Sequence, residues 1–202
     1  MSKIKFCGLT RRADIEAVNS LAPDYIGFVF APQSKRYLPR EEAAKLRKLL
    51  VTKAQVVGVF VNEPLENIID LLEAGIIDQV QLHGQETEAY LQELRQRTKA
   101  IIIQAFTIGN SQDVEQAQAS SADYILLDTG AGTGRVFDWQ LVQQVQREFF
   151  LAGGLSEANI TDAIEQLQPY AVDISSGIET AGIKDQKKMA RIIAQVRRDE
   201  EL

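Results

Sequence analysis

A thiol and a carboxylate stand at the ends of two apolar runs in this chain, and together they could move protons. The segment "KIKFCGLT", residues 3–10, holds the only cysteine, Cys7, followed at once by Gly8. A thiolate there could serve as a base or nucleophile if its surroundings bring its pKa below the usual ~8.5. The alternative is a small, inert, buried hydrophobe. The second group is Asp128, which closes "DYILLD". It could cap the next turn, or act as the acid partner of the thiol. The residues after it, "TGAGTGR", form a Gly-rich loop able to move over a ligand. Two further segments, "LAGGLS" and "DISSGIE", offer paired small residues whose backbone N–H groups could approach an anion. Ser156 reads as the N-cap of a helix directly behind Gly153 and Gly154. Lys35 and Arg36 lie in "APQSKR", and His83, the only histidine, lies in "QLHG". One histidine makes a poor metal site, so none is expected.

These groups need a scaffold that gathers them. Eight short runs rich in β-branched or aromatic residues recur along the chain: Ile4–Cys7, Tyr25–Phe30, Val56–Val61, Gln79–Leu82, Ala100–Phe106, Tyr124–Leu127, Phe149–Ala152 and Ala171–Ile174. Several are almost wholly apolar, as strands buried on both faces must be. Helical stripes lie between them, such as Leu65, Ile68, Ile69 and Leu72, or Ile160, Ala163, Ile164 and Leu167, or Met189, Ile192, Ile193 and Val196. Pro39 and Pro64 stand where first helical turns begin. Trp139 is read as helix core or as an anchor for the loop before it.

Eight βα units without a linker predict one α/β domain over residues 1–202, a single (β/α)8 TIM barrel with short loops. An open doubly wound sheet is the rival, but "CGLTRR" is no dinucleotide turn. In a barrel of this kind, sites form at the C-terminal ends of the strands. Cys7, His83, Asp128, Gly153 and Ser175 all fall there. So do the loops after the seventh and eighth strands, where phosphate is often held. No lysine ends a strand, which argues against Schiff-base chemistry.

The 202 residues carry a formal net charge of −6 and a pI near 5.0. No basic stripe of the kind nucleic acid selects is present. No apolar stretch reaches the ~20 residues of a membrane helix, and a lone cysteine asks for no oxidising compartment. The expected protein is a soluble cytoplasmic one that binds a small molecule, without nucleic acid or membrane.

The motifs "KFCGLT", "GFVFAPQSKR", "VGVFVN", "VQLHG", "LLDTGAGTGRVFDW", "LAGGL" and "DISSGIE" follow one another in the order found in phosphoribosylanthranilate isomerases of tryptophan biosynthesis, and the chain resembles that family from residue 3 to about residue 179. The resemblance implies a cofactor-free Amadori rearrangement of N-(5-phosphoribosyl)anthranilate to the carboxyphenylamino-deoxyribulose phosphate. It makes Cys7 the general base and Asp128 the general acid. Arg36 would meet the anthranilate carboxylate. Gln81, His83 and Asp173 would bind substrate, and Gly153, Gly154, Ser175, Ser176 and Gly177 would hold its phosphate. A monomer or a homodimer is expected. Two other readings remain: a bifunctional isomerase that also serves histidine biosynthesis, and a non-catalytic barrel that binds a sugar phosphate.

Overall fold

Alternation along each strand decides which residues look into the barrel and which look out. The computed structural model describes residues 2–128 and 139–197. The eight barrel strands are β1 (Lys3–Cys7), β2 (Tyr25–Val29), β3 (Gln55–Phe60), β4 (Gln79–Leu82), β5 (Ile102–Thr107), β6 (Tyr124–Asp128), β7 (Phe149–Ala152) and β8 (Ala171–Ile174). All neighbours are parallel, and β8 pairs back onto β1 from Lys3↔Ala171 to Phe6↔Ile174, so the barrel is closed. The helices between them are α1 (Arg12–Leu21), α2 (Arg40–Leu49), α3 (Leu65–Glu73), α4 (Glu88–Arg97), α5 (Ser111–Ala119), α6 (Trp139–Val142) and α7 (Ile160–Leu167), with α8 (Gln186–Val196) after the last strand. A short hairpin, β9 (Glu179–Thr180) and β10 (Ile183–Lys184), precedes α8.

Outward residues such as Ile4, Phe6, Val80, Leu82, Ile125, Leu127, Val172 and Ile174 pack under the helices in the main core. Inward residues Tyr25, Val57, Ile103, Leu126, Phe150 and Ala171 fill the lumen as a second cluster. Cys7, Val29, Ala31 and Val59 form a third near the C-terminal mouth. The floor is sealed by aromatic rings: Tyr124 stacks on Tyr170 at 4.5 Å, and Tyr25 meets Phe150 edge-on at 5.4 Å. It is also stapled by a repeated device. Asp24, Asp78 and Asp123, each just before an even-numbered strand, accept the backbone N–H of Ile4, Val56 and Ile102 on the strand before.

The predicted strands all appear within a residue or two of their expected bounds. Pro39 and Pro64 occupy the N-cap positions of α2 and α3, one residue before the first turn. Ser156 is not the N-cap of α7. That place belongs to Asn159, whose Oδ1 accepts the Ser156 backbone N–H at 2.8 Å and holds a turn ahead of the helix. Trp139 opens α6 and packs partly buried against the main core. The loop "TGAGTGR" lies outside the described residues.

Candidate active site

The strand ends enclose a cavity of about 380 Å³ at the C-terminal mouth, a size suited to one small ligand. Cys7 from β1 and Asp128 from β6 both line it. Cys7 is 9% exposed and Asp128's side chain 28%. Gly8 takes a left-handed φ of +77°, and a Cβ there would overlap the Arg36 side chain. Glycine therefore lets Arg36 lie close over the end of β1.

Charge around the sulfur is arranged in layers. Burial pushes the Cys7 thiol up, the Lys5 ammonium pulls it down by charge and hydrogen bond, Asp173 adds to the rise, and Lys184 opposes it; the net direction is up. Lys5 lies two residues before Cys7 on β1, so both side chains point inward. Its Nζ donates to Asp173 Oδ2 at 2.8 Å.

Above the thiol sits a second ionic group. Arg36 donates through Nε and Nη2 to the two oxygens of Glu179, at 2.7 and 2.8 Å. Lys184 Nζ donates to Glu179 Oε1 at 2.7 Å and to the Ser175 carbonyl at 2.9 Å. The Ser175 hydroxyl in turn donates to the Cys7 carbonyl at 3.1 Å. The hairpin β9–β10 is thus tied to β1, to the loop after β2 and to the end of β8.

On the far wall, Gln81 Nε2 contacts His83 Nδ1 at 3.0 Å, and His83 Nε2 stands 3.6 Å from Asp128 Oδ2. Glu86 fixes the loop carrying His83, accepting the backbone N–H groups of Asn62 and Gly84 at 2.6 and 2.8 Å. Gln81 Oε1 and Asp173 Oδ1 are buried and have no hydrogen-bond partner among the described residues. Both residues line the cavity. A buried acceptor left so is costly, and a hydroxyl-bearing ligand would satisfy it.

The model of the family described as N-(5'phosphoribosyl)anthranilate (PRA) isomerase matches residues 4–195. The chain is 44% identical over 202 residues to the N-(5'-phosphoribosyl)anthranilate isomerase of Endomicrobium trichonymphae, covering 98% of this chain and 99% of that one. It is 42% identical to the enzyme of the same name from Thermoanaerobacter sp. (strain X514), with 98% of each chain covered. This chain belongs to the phosphoribosylanthranilate isomerase family. Among solved structures, the Thermotoga maritima member superposes with a TM-score of 0.89 at 35% identity, over 98% of this chain and 99% of that one. A complex of phosphoribosyl anthranilate isomerase with reduced 1-(o-carboxyphenylamino)-1-deoxyribulose 5-phosphate superposes with a TM-score of 0.87 at 35% identity, over 98% and 99% of the two chains.

Within this isomerase fold, the cavity brings together Cys7, Arg36, Gln81, His83, Asp128 and Asp173. Gly153, Gly154, Ser175 and Ser176 line it from the loops after β7 and β8. Gly177 does not reach the wall. A Cβ on it would overlap the Leu155 carbonyl oxygen, so it serves the contact between those two loops. The helix expected directly behind Gly154 starts only at Ile160. Any anion there would meet the loops rather than a helix end. The surroundings of the thiol do not lower it below its ordinary value, because burial outweighs its cations. The Arg36 fork expected to face a ligand carboxylate is already engaged by Glu179.

Sequence reasoning passed over Lys5, Glu179 and Lys184. Lys5 had a signal: a charged residue sharing inward parity with Cys7 inside an apolar run. Glu179 ends the quoted "DISSGIE" without a role given to it. Lys184 belongs to no motif, and only the hairpin brings it to the mouth.

Proposed function

We propose that Cys7 and Asp128 perform the Amadori rearrangement of N-(5'-phosphoribosyl)anthranilate to 1-(2-carboxyphenylamino)-1-deoxyribulose 5-phosphate as general base and general acid, within one barrel domain. The observation that carries this reading is their placement on β1 and β6 around one cavity. The relative solved with a reduced form of the product supports it. Asp128 gives a proton to the ring oxygen of the ribosyl group as the C1–O bond breaks. The anilino nitrogen lone pair then forms the C1=N bond. The iminium acidifies the C2 hydrogen, which the Cys7 thiolate removes, and the C–H electrons flow to C1–C2 and on to nitrogen. The enaminol so formed becomes the ketone when its hydroxyl loses a proton and C1 gains one. No redox cofactor is needed, since one carbon is reduced as its neighbour is oxidised.

The remaining groups bind. With its Nε and Nη2 on Glu179, Arg36 meets the anthranilate carboxylate through its outer N–H groups. Asp173 Oδ1 and Gln81 Oε1 accept from sugar hydroxyls, which relieves their burial without partners. His83 keeps Asp128 oriented. Gly153, Gly154, Ser175 and Ser176 take the phosphate.

Steady-state kinetics on Cys7→Ala and Asp128→Asn test the assignment, with circular dichroism as the check on folding. Acid–base groups of this kind contribute ~10²–10⁴-fold each. Each variant should therefore lose at least about 100-fold in kcat with a much smaller change in KM. Cys7→Ser should also be poor, because a hydroxyl is scarcely ionised near neutral pH. Turnover of Cys7→Ala within a few-fold of the parent would remove the thiol from the mechanism. Binding without any turnover in the parent protein would favour a sugar-phosphate-binding barrel.

A further inference from the structure

Lys5 is fully buried, and its ammonium sits in the lumen beneath Cys7 with Asp173 Oδ2 at 2.8 Å. Below it the lumen is apolar: Tyr25, Val57, Ile103, Leu126 and Phe150. A buried ion pair is weak as a device for stability, since apolar residues of the same volume commonly do as well or better. A lumen already filled by side chains gives no packing reason for an ammonium at this level. What the position does offer is proximity. Lys5 and Cys7 are i and i+2 on β1, on the same face.

We propose that Lys5 is a positioning residue for the isomerisation, its ammonium anchored by Asp173 so that it stabilises the thiolate of Cys7 from below. The inference rests on Cys7 being the base. Lys5 stays protonated throughout; the proton that moves goes from substrate C2 to the sulfur. The other charges around the sulfur are Asp173 from β8, Lys184 from β10 and Arg36 from the loop after β2, while His83 and Asp128 face the same cavity from β4 and β6. Lys184 and Arg36 share the carboxylate of Glu179. Lys5 shares the inward face of β1 with Cys7, and its ammonium is held in the lumen by Asp173 Oδ2 at 2.8 Å, so its charge bears on the sulfur from within the barrel.

The chain has one cysteine. The ultraviolet absorbance of its thiolate, taken as the difference from Cys7→Ala, therefore titrates one group, without substrate and without regard to turnover. In Lys5→Met the lumen cation beside Asp173 is lost while the carboxylate stays. The thiol's midpoint should rise by at least about one pH unit, a tenfold loss of thiolate at any pH well below it. The charge-free Lys5→Met/Asp173→Asn variant keeps the lumen neutral and is the one read if the single variant melts below assay temperature. Its midpoint should also rise, by less, because the opposing carboxylate has gone too. A double variant that titrates at or below the parent's midpoint would overturn the inference and leave Lys5 as a counter-ion for Asp173 alone. The kinetic arm separates this from the assignment of the base. In Lys5→Met, kcat at neutral pH should fall with the thiolate fraction. A raised midpoint with unchanged kcat would overturn Cys7 as the base, and the positioning role with it. An unmoved midpoint, in a protein that still needs Cys7 for turnover, would overturn the role of Lys5 only.

Discussion

Replacing Glu179 by glutamine tests whether the ionic group over the thiol orients Arg36. In the parent, one carboxylate receives three charge-assisted bonds: two from Arg36 and one from Lys184. Glutamine offers a single acceptor oxygen and puts an NH2 donor where the other oxygen stood. At least one of the three bonds is lost, and two cations stay close without an anion. Hydrogen bonds to charged groups contribute about 1.5–3 kcal/mol each. Arg36 is 31% exposed and can recover water, while Lys184, 3% exposed, keeps the Ser175 carbonyl. A stability loss of about 2 kcal/mol is therefore expected, which is about 4–8 °C in Tm for a chain of this size.

The effect on substrate should show in KM. If Arg36 meets the anthranilate carboxylate and Glu179 holds it in place, loosening the fork should cost about 1–2 kcal/mol of binding, about five- to thirtyfold in KM. The proton-transfer groups are untouched, so kcat should change far less. The assay is the loss of anthranilate-type fluorescence across a range of substrate, beside a thermal melt. The melts carry a second check. Burial pushes the Glu179 carboxyl up, but Arg36 and Lys184 more than offset this and hold it below the usual glutamate value. A depressed carboxyl adds stability above its unfolded value near ~4.3 and loses it as pH falls through the folded one. The Tm gap between parent and variant should thus narrow in acid. A KM within twofold of the parent, with the Tm lowered as expected, would refute the claim that Glu179 orients Arg36 for substrate.

Three further outcomes are expected. Gly27→Ala would place a Cβ 2.6 Å from Cys7 Sγ, so the thiol must turn; kcat should drop at least about tenfold, checked by kinetics beside a melt that shifts little. Gln81→Met removes a buried acceptor without a partner and also the contact to His83, so Tm should hold or rise while KM increases, a split read by a melt and steady-state kinetics. Burial raises the Cys7 thiol despite its cations, so kcat should climb with pH through neutrality and beyond the ordinary thiol value of ~8.5, and a profile flat from pH ~6 to ~9 would contradict a thiolate base.

The barrel was legible because strands buried on both faces must be apolar throughout, and Val56–Val61 and Tyr124–Leu127 read that way with turn residues between them. Cys7 and Asp128 were legible for the complementary reason. Each is the residue that closes its strand, and strand ends in this fold face the mouth. Helix starts were harder. Ser156 is a good capping residue, and its Oγ accepts the Ala158 backbone N–H, but that turn precedes the helix, and Asn159, whose Oδ1 accepts the Ser156 N–H, stands at the N-cap. The Glu179 partner of Arg36 was not legible because it lies 143 residues away and reaches it only through the β9–β10 hairpin, two strands of two residues each that no periodicity reveals.

The groups that stayed hidden share a physical character. Lys5, Lys184 and Glu179 are charged residues whose ionic partners lie in other elements or across a turn, and their meaning depends on which neighbours the closed barrel supplies. An isolated lysine in a strand reads as an edge or a surface charge, yet closure of β8 onto β1 sets Lys5 beside Asp173 and beneath the sulfur. The same closure bears on how an acidic protein can hold a substrate that carries both a phosphate and a carboxylate. Net charge is a property of the whole surface, whereas affinity for phosphate and carboxylate is set by what lies at the strand ends. There, among the described residues, the cations Lys5, Arg36 and Lys184 gather around Cys7 with Asp173 and Glu179 as their partners, while Asp128 stands across the cavity on β6. Three cations gathered on one side of the mouth favour anion binding there, and Lys5 and Lys184 offset part of the burial that raises the thiol. Losing either lysine should therefore harm both, while loss of an acidic residue on the outer helices, such as Glu41, should harm neither.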